Sequence, residues 1–351
     1  MKSVRVREAL GMVLCHDLTR IVPGEFKGAA FRKGHIIRSE DIPQLLDMGK
    51  EHIYVLDLQD GMIHEDAAAI RIATAAAGQG IRLSKPREGK VDLIAERDGL
   101  LKIGVETLYE VNAVEEVMLA TLHSNQLVGR GKTVAGTRII PLVIDESPIK
   151  RIEQLCRENA PLVRVLPLAS LETGIITTGS EVYHGRIKDQ FGPVVRRKLE
   201  ELGCPVLGQI LVSDQVENIV KAIGDFLNKG ARMITITGGM SVDPDDVTPA
   251  GIRAAGGRVV TYGAPVLPGA MFMLAYLGDV PVFGLPGCVM YHRTSIFDLV
   301  LPRILAGEEL SRKDFIEMAH GGLCVHCSEC RYPDCGFGKG ALRPGLANDK
   351  G

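Results

Sequence analysis

The order of apolar and polar residues is most regular from residue 173 onward. Runs of consecutive apolar residues, typical of buried strands, alternate there with stretches that show the 3.6-residue apolar repeat of a helix. Strands joined by helices indicate a parallel sheet with right-handed crossovers, so the pattern predicts an α/β domain. The predicted strands are 174–178, 205–212, 233–237, 258–262 and 280–284, and the predicted helices are 193–202, 216–228, 249–255 and 291–305.

The N-terminal half has a weaker pattern of short strands and few helices. The closely spaced strands between 81 and 144 favour a small β-barrel or sandwich. Helices are predicted at 40–48, 65–77 and 149–159, and strands at 52–56, 91–94, 99–103, 116–121, 133–134 and 161–168. The predicted domains are a smaller β-rich α+β segment at 1–80, a β-barrel-like segment at 81–148, the α/β domain at 149–310 and a cysteine tail at 311–351.

Composition narrows the class of protein. The 351 residues are 46% hydrophobic and 24% charged, which excludes wholesale disorder. The formal net charge is −2 and no basic block occurs, so nucleic-acid binding has no electrostatic basis here. The first residues lack the apolar core of a signal peptide, and no apolar run is long enough to span a membrane. We therefore expect a cytoplasmic protein.

Three glycine-containing loops follow predicted strands, so we expect them at one edge of the sheet. They are residues 177–189, 237–249 and 284–288. Glycine lets backbone N–H groups approach a ligand, and helix N-termini favour phosphate. Because the second loop carries several aspartates, a phosphate there would need a bridging cation, for which Mg²⁺ is the natural choice. The alternative is that the glycines only form tight turns and the aspartates cap helices.

These loops carry motifs with a specific order and spacing. Residues 178–181 read Thr-Gly-Ser-Glu and residues 185–189 read Gly-Arg-Ile-Lys-Asp. Residues 237–242 read Thr-Gly-Gly-Met-Ser-Val, and residues 283–287 read Phe-Gly-Leu-Pro-Gly. Together they resemble the molybdopterin-binding domain of molybdenum-cofactor biosynthesis proteins, the MoaB/Mog-like fold that adenylyltransferase and molybdotransferase enzymes share.

The resemblance implies a molybdopterin ligand, adenylylated, together with Mg²⁺. Residues 8–17, and more loosely 128–141, are similar to the molybdotransferase subfamily, which implies N-terminal domains before the binding domain and a homodimer. Acidic positions implicated in catalysis or Mg²⁺ binding fall on Glu181, Asp214 and Asp246, and further Mg²⁺ ligands on Asp243 and Asp245. Pterin contacts are expected from Thr178, Gly179, Ser180, Asp189, Gly238, Gly239, Ser241, Pro286, Gly287 and Cys288.

The sequence also departs from the family pattern. Where the molybdotransferases usually carry Lys-Pro-Gly-Lys-Pro, residues 267–271 read Leu-Pro-Gly-Ala-Met, so two lysines that would face an oxyanion are missing. Their loss would cost a few kcal/mol, because charged hydrogen bonds contribute about 1.5–3 kcal/mol each. Ser180 replaces an aspartate. Cys288 replaces an asparagine, either as a thiol with a lowered pKa at a helix N-terminus or as a small side chain that fills space.

The cysteine tail lies outside the family pattern. Cys324, Cys327, Cys330 and Cys335 are spaced by two, two and four residues, in a segment too short to bury a core. A metal is therefore the expected organiser, either zinc or an iron–sulfur cluster, and the remaining alternative is disulfides or idle thiols. His320 and His326 are additional candidate ligands.

Three functions compete. The first is a molybdotransferase-type enzyme that cleaves adenylylated molybdopterin and inserts molybdate. The second is a non-catalytic molybdopterin carrier or insertion chaperone that docks on a client molybdoenzyme through its cysteine tail. The retained acidic residues favour the enzyme, whereas the missing lysines and the added tail favour the carrier. A nucleotide-binding protein unrelated to pterin is the third, although neither a P-loop nor a dinucleotide motif occurs.

Overall fold

The computed structural model describes residues 2–22, 26–56, 60–159 and 161–340. The chain divides into two compact units. The first comprises Met1–Ser124 and Val128–Val165, and the second comprises Asn125–Leu127 and the residues from Leu166 onward. The four segments predicted from the sequence are not separated in this way. The last eleven residues of the cysteine tail lie outside the described residues.

Short strands, four α-helices and one 3₁₀ helix (Val6–Glu8) are the regular elements of the described chain as far as residue 166. In chain order the strands are β1 (Lys2–Arg5), β2 (Val13–Leu14), β3 (Leu18–Val22), β4 (Phe26–Phe31), β5 (His52–Leu56), β6 (Met62–His64), β7 (Ile81–Leu83), β8 (Lys90–Ala95), β9 (Gly99–Ile103), β10 (Val117–Thr121), β11 (Gln126–Val128), β12 (Thr133–Ile139), β13 (Val143–Asp145) and β14 (Val163–Leu166). The helices are α1 (Asp41–Asp47), α2 (Glu65–Ala76), α3 (Val105–Asn112) and α4 (Glu146–Glu158).

Four of the strands between 81 and 148 form one open sheet. They lie in the order β10-β12-β8-β7 and pair antiparallel. Helix α2 packs against β8, β12 and α4, and its alanines Ala68, Ala69, Ala73 and Ala76 are fully buried. Because small side chains let this helix lie close to the sheet, α2 covers the apolar face of the sheet.

The second unit is the α/β domain. Its strands are β15 (Thr173–Thr178), β16 (Val206–Val212), β17 (Met233–Thr237), β18 (Arg258–Tyr262), β19 (Met273–Leu277) and β20 (Val280–Leu285). Its helices are α5 (Ser180–Tyr183), α6 (Phe191–Glu201), α7 (Val216–Asn228), α8 (Thr248–Ala254), α9 (Cys288–Tyr291), α10 (Ile296–Leu305) and α11 (Arg312–Glu317).

One six-stranded sheet organises this unit, with the order β16-β15-β17-β20-β19-β18. The first four strands are parallel, as predicted, whereas β19 and β18 run antiparallel to their neighbours. Apolar cores cover both faces of the sheet, which explains why its central strands are buried along their whole length. The predicted α/β class is therefore confirmed, and the all-parallel sheet is corrected to a mixed one.

Close helix packing depends on glycine at one central position. A Cβ built on Gly174 of β15 would lie only 2.4 Å from the Phe226 ring of α7. The predicted helix at 291–305 starts five residues later, at Ile296, because Ser295 and Asp298 form a capping box that starts α10. None of the helices in the described residues is sufficiently long and apolar to cross a bilayer.

Candidate functional site

Strand register brings the ends of the parallel strands to one edge of the sheet. Thr178 pairs with Val212, Thr177 with Thr237, and Thr237 with Leu285. The three glycine-containing loops begin directly after these residues, so they start side by side at the carboxyl edge. This is the position at which open α/β sheets bind ligands.

The first and second loops are in direct contact. Gly238 has a φ of +87°, and a Cβ built on it would lie 2.2 Å from the carbonyl oxygen of Thr178. The Thr248 hydroxyl donates to the carbonyl oxygen of Gly238 at 2.8 Å and lies 3.4 Å from the Thr178 hydroxyl. Gly239 also has a positive φ, and its added Cβ would meet Thr248. Only glycine lets the two loops approach so closely.

Asp214 joins the first loop to the end of β16. Its carboxylate accepts a hydrogen bond of 2.7 Å from the backbone N–H of Ser180, and Gly179 N–H donates to the carbonyl of Val212. Asp214 is half-buried, whereas Glu181 is exposed on the short helix α5. One carboxylate oxygen of Asp214 therefore holds the first loop by accepting from Ser180, a contact that the sequence motif did not indicate.

Asp189, an expected pterin contact, is engaged in holding α6. Its two carboxylate oxygens accept from the backbone N–H groups of Phe191 and Gly192, at 2.9 and 3.0 Å. The Gln209 amide donates to the same carboxylate at 2.6 Å and to the hydroxyl of Thr177 at 2.8 Å. Asp189 thus caps helix α6 and, through Gln209, connects it to strand β15 of the sheet. This is the helix-capping role that the sequence analysis gave as the alternative for the aspartates.

The acidic part of the second loop is largely exposed. Asp246 is half-buried, and its carboxylate accepts from the Asp243 N–H at 3.0 Å, while Asp243, Asp245 and Ser241 are exposed. The carbonyl oxygens of Met240 and Ser241 lie near the Tyr262 hydroxyl. Over the part of the chain that the structure describes, no three His, Cys, Asp or Glu side chains are grouped so that they could hold a metal ion. The three aspartates therefore do not form a Mg²⁺ cage.

The third loop presents Pro286, Gly287 and Cys288 after β20. Pro286 is buried, Gly287 is exposed and Cys288 is half-buried. Burial raises the pKa of the Cys288 thiol above its usual value. The direction is opposite to that expected of an activated thiolate, so the space-filling role of Cys288 is the one that the structure favours.

The segment that lacks the two lysines contacts the cysteine tail. Leu267 N–H donates to the carbonyl of Gly322, and Cys324 N–H donates to the carbonyl of Leu267, both at 2.8 Å. These bonds form a parallel bridge between Leu267 and Leu323. The tail is therefore bonded to the backbone of the segment in which the two expected lysines are missing.

All four tail cysteines line a single cavity of about 440 Å³. The eight cysteines are free thiols, so the disulfide alternative is not realised in this structure. Cys330 Sγ lies 3.4 Å from the Thr294 hydroxyl, and this hydrogen bond lowers the pKa of the Cys330 thiol. The His326 ring lies 5.3 Å from that of His292. The thiols share a cavity but do not converge on one point.

A buried ion pair beside this cavity was not indicated by any sequence motif. Lys198 of α6 lies 2.6 Å from Asp298 of α10 and donates to the carbonyl of Arg293, and only 9% of its side chain is exposed. Asp298 also closes the capping box with Ser295, and its carbonyl accepts from the Tyr332 hydroxyl at 2.8 Å. Asp298 thus connects two helices with the cysteine tail.

A second, larger cavity of about 650 Å³ lies beside this ion pair. Helix α6, helix α10 and residues 290–294 line it, with basic groups from Arg197, His292 and Arg293. Among the described residues, none of the expected pterin contacts lines this cavity. This cavity therefore lies beside the segment after the third loop, and not at the contacts between the first two loops.

Comparison with known proteins identifies two families within the chain. Residues 174–306 match the family described as "Probable molybdopterin binding domain". Residues 3–57, which include the predicted molybdotransferase-like opening at 8–17, match a "Domain of unknown function (DUF8806)".

Curated relatives match over shorter stretches. A molybdopterin molybdenumtransferase of Synechococcus elongatus is 29% identical over 119 residues, which cover 31% of this chain and 30% of that protein. A CinA-like protein of a Mycobacterium species is 33% identical over 89 residues, which cover 25% of this chain and 21% of that protein. The chain thus spans less than a third of the length of these relatives.

Solved structures also match the chain in part. The molybdopterin biosynthesis enzyme MoaB of Thermus thermophilus is 20% identical, with a TM-score of 0.33, and the match covers 39% of this chain and 98% of that one. The protein CinA of Thermoplasma acidophilum is 19% identical, with a TM-score of 0.30, and the match covers 35% and 92%.

Proposed function

We propose that this chain, which contains a domain of the molybdopterin-binding family, acts in molybdenum-cofactor biosynthesis by binding adenylylated molybdopterin. The observation that carries the proposal is the register of β15, β17 and β20, which aligns the starts of three glycine-containing loops. Backbone N–H groups of such loops can approach phosphate oxygens closely. The molybdopterin molybdenumtransferase relative supports the same class of ligand.

Asp214 and Asp246 are the residues that would hold Mg²⁺. Mg²⁺ in phosphate sites usually takes one or two carboxylates and completes its shell with water and phosphate oxygens, so a cage of three side chains is not required. The hydrogen bonds from Ser180 and Asp243 engage one carboxylate oxygen of each aspartate. When bound, the cation would neutralise charge on the adenylyl phosphate. Asp243 and Asp245 would act through water.

Glu181 is the residue proposed to act on the reacting oxygen. It is exposed at the start of α5, and a Cβ built on Gly179 would lie 3.0 Å from its carboxylate, so Glu181 folds back over the first loop. There it would orient a water for attack on the adenylyl phosphorus, which breaks the bond to the pterin phosphate oxygen and releases AMP. The proposed activity is therefore molybdopterin molybdotransferase-like.

A second candidate function rests on the Leu267 segment. Its backbone is hydrogen-bonded to Gly322 and Cys324 of the cysteine tail, and it supplies no cation for an incoming oxyanion. A pterin carrier or insertion chaperone needs tight binding without molybdate capture, and a docked tail suits contact with a client molybdoenzyme. We propose a homodimer under either candidate function, and light scattering on the full chain can measure its mass.

A release assay separates the two functions. The full chain is incubated with adenylylated molybdopterin, Mg²⁺ and molybdate, and both AMP release and pterin binding are measured. The enzyme predicts AMP release that Glu181→Gln reduces at least about a hundredfold, whereas Glu200→Gln, on the exposed side of α6, leaves it unchanged. Tight binding without AMP release identifies the carrier, and absence of pterin binding refutes both.

A further inference from the structure

The cavity lined by the four tail cysteines is a separate feature from the edge of the sheet. Besides the thiols, it is lined by Thr294 and Arg293, which follow helix α9, and by Tyr332 and the buried Phe337. The proposed pterin chemistry uses none of these groups. A cavity of about 440 Å³ with four free thiols in its wall is unusual for a segment without a core of its own.

Backbone and side-chain bonds hold this segment in place. Leu267 pairs with both Gly322 and Cys324, Gly338 N–H donates to the carbonyl of Gly321 at 2.8 Å, and the Tyr332 hydroxyl donates to Asp298. The described residues 321–340 contain neither helix nor strand. Since hydrogen bonds of this kind contribute only about 1 kcal/mol each, a bound group that joins the thiols would be the main source of order.

The spacing of the four cysteines favours a cluster over a single ion. Zinc sites usually take their cysteines as two separated pairs, whereas three of these cysteines follow one another as Cys-x₂-Cys-x₂-Cys, a run that also occurs in iron–sulfur proteins. As the side chains stand, no three metal-binding side chains among the described residues are grouped to hold a single ion. An iron–sulfur cluster binds each thiolate to a different iron atom, so its ligands line a space instead of meeting at one ion, and the four thiols line one cavity.

We propose that Cys324, Cys327, Cys330 and Cys335 bind an iron–sulfur cluster of the four-iron type. Each thiol loses its proton as its sulfur bonds to one iron, and no residue of the chain is oxidised. Once Cys330 is a ligated thiolate it can only accept, so the Thr294 hydroxyl, 3.4 Å away, donates to it. Hydrogen bonds to cluster sulfurs stabilise the reduced, more negative state.

Metal content tests the site without any pterin, so its outcome is independent of the function proposed above. The full chain is purified anaerobically and reconstituted with equal amounts of ferrous and ferric iron and with sulfide, so that no further oxidant is needed, and iron, sulfide and zinc are then quantified. We expect about four iron and four sulfide per chain, with visible absorption that dithionite bleaches. One zinc per chain, with no iron retained after reconstitution, would overturn the proposal.

Variants locate the cluster. Cys330→Ala should lower the iron content about tenfold or more, whereas Cys15→Ala, a thiol of the first unit, should leave it unchanged. Equal iron in both variants would refute the assignment of Cys330.

Because Cys330→Ala could also unfold the tail, Thr294→Val provides a second measurement. It keeps all four ligands and should shift the reduction potential to a more negative value, and an unchanged potential would exclude the Thr294 bond to the cluster.

Discussion

Gly238 is the residue on which contact between the first two loops depends. Its φ of +87° already disfavours any other residue, by about 1–2 kcal/mol. An added Cβ would also lie 2.2 Å from the backbone oxygen of Thr178, which no change of side-chain rotamer can relieve. We therefore expect Gly238→Ala to lower the free energy of unfolding by about 3 kcal/mol, the φ and overpacking costs together, and to weaken pterin binding. Urea denaturation and a binding titration measure the two effects.

The control for this substitution is Gly203→Ala. Gly203 has a similar φ of +79°, but a Cβ built there meets no atom within 4 Å. Only the backbone cost of about 1–2 kcal/mol should appear, with pterin binding unchanged. Equal destabilisation by the two substitutions would mean that the loop contact at Thr178 is not tight.

Asp314 gives the stability of the second unit a dependence on pH. Burial alone would raise the pKa of its carboxyl, but hydrogen bonds from Ser311 and the ion pair with the buried Arg303 hold it below its ordinary value. The unfolded chain therefore binds a proton at a higher pH than the folded chain does. The stabilisation by Asp314 is present above about pH 4 and is lost as the pH falls through the folded pKa.

Measurements of unfolding free energy against pH test this. Asp314→Asn should lower the stability at neutral pH and flatten the loss of stability on acidification. Glu309→Gln is the control, because Glu309 and its partner Arg258 are both exposed and such pairs contribute little. An acid slope that is the same in Asp314→Asn as in the unaltered chain would contradict the assignment.

Sequence motifs indicate residues that lie next to one another along the chain, and do not indicate contacts that only folding creates. Gly238 and Thr178 were proposed as site residues because their loops carry glycine motifs after strands, and the structure shows that these two loops are in contact. The ion pair of Lys198 with Asp298 joins residues a hundred positions apart, and nothing local marks either of them. Asp189 was expected to contact pterin, whereas its bonds to α6 are set by the backbone that follows it.

At the scale of elements, the pair Lys198–Asp298 fastens α6 to α10. Removing one partner of a buried ion pair typically costs about 3–5 kcal/mol, because the other charge remains buried. Asp298 keeps its bonds to Ser295, so the lower end of that range applies. We expect Lys198→Met to lower the free energy of unfolding by about 3 kcal/mol, measured by urea denaturation.

The neighbouring residue supplies a matched control on the same helix. Arg197 forms an exposed pair with Glu201 at 3.9 Å, with two-thirds of each side chain exposed. Arg197→Met should change the stability by less than about 0.5 kcal/mol. If Lys198→Met were equally neutral, the two helices would be held by apolar packing alone.

The elements themselves were predictable to different degrees. The four parallel strands were predicted because a buried parallel strand is a continuous apolar run between turns. Strand β19 was not predicted, because an apolar run of five residues can equally belong to a buried helix. In the first unit, the sequence does not show that α2 covers the sheet, since its alanines carry little amphipathic signal.

At the scale of the whole molecule, two places have groups that suit the phosphate of the proposed pterin ligand. The register and the loop contacts favour the carboxyl edge of the sheet, whereas the larger cavity lies beside α6 and α10. At the edge of the sheet, backbone N–H groups would contact a phosphate, whereas basic side chains such as Arg293 line the cavity. A phosphate could be bound by either chemistry, so the location has to be measured on the full chain.

Amide hydrogen exchange with and without adenylylated molybdopterin decides between the two places. A ligand at a hundred times its dissociation constant stabilises the state it binds by about 2.7 kcal/mol, and the amides it covers slow accordingly. We expect protection at residues 178–181, 238–246 and 286–288, with the first compact unit unchanged. Protection confined to 193–202 and 290–294 would place the ligand in the cavity and would refute the edge of the sheet as its site.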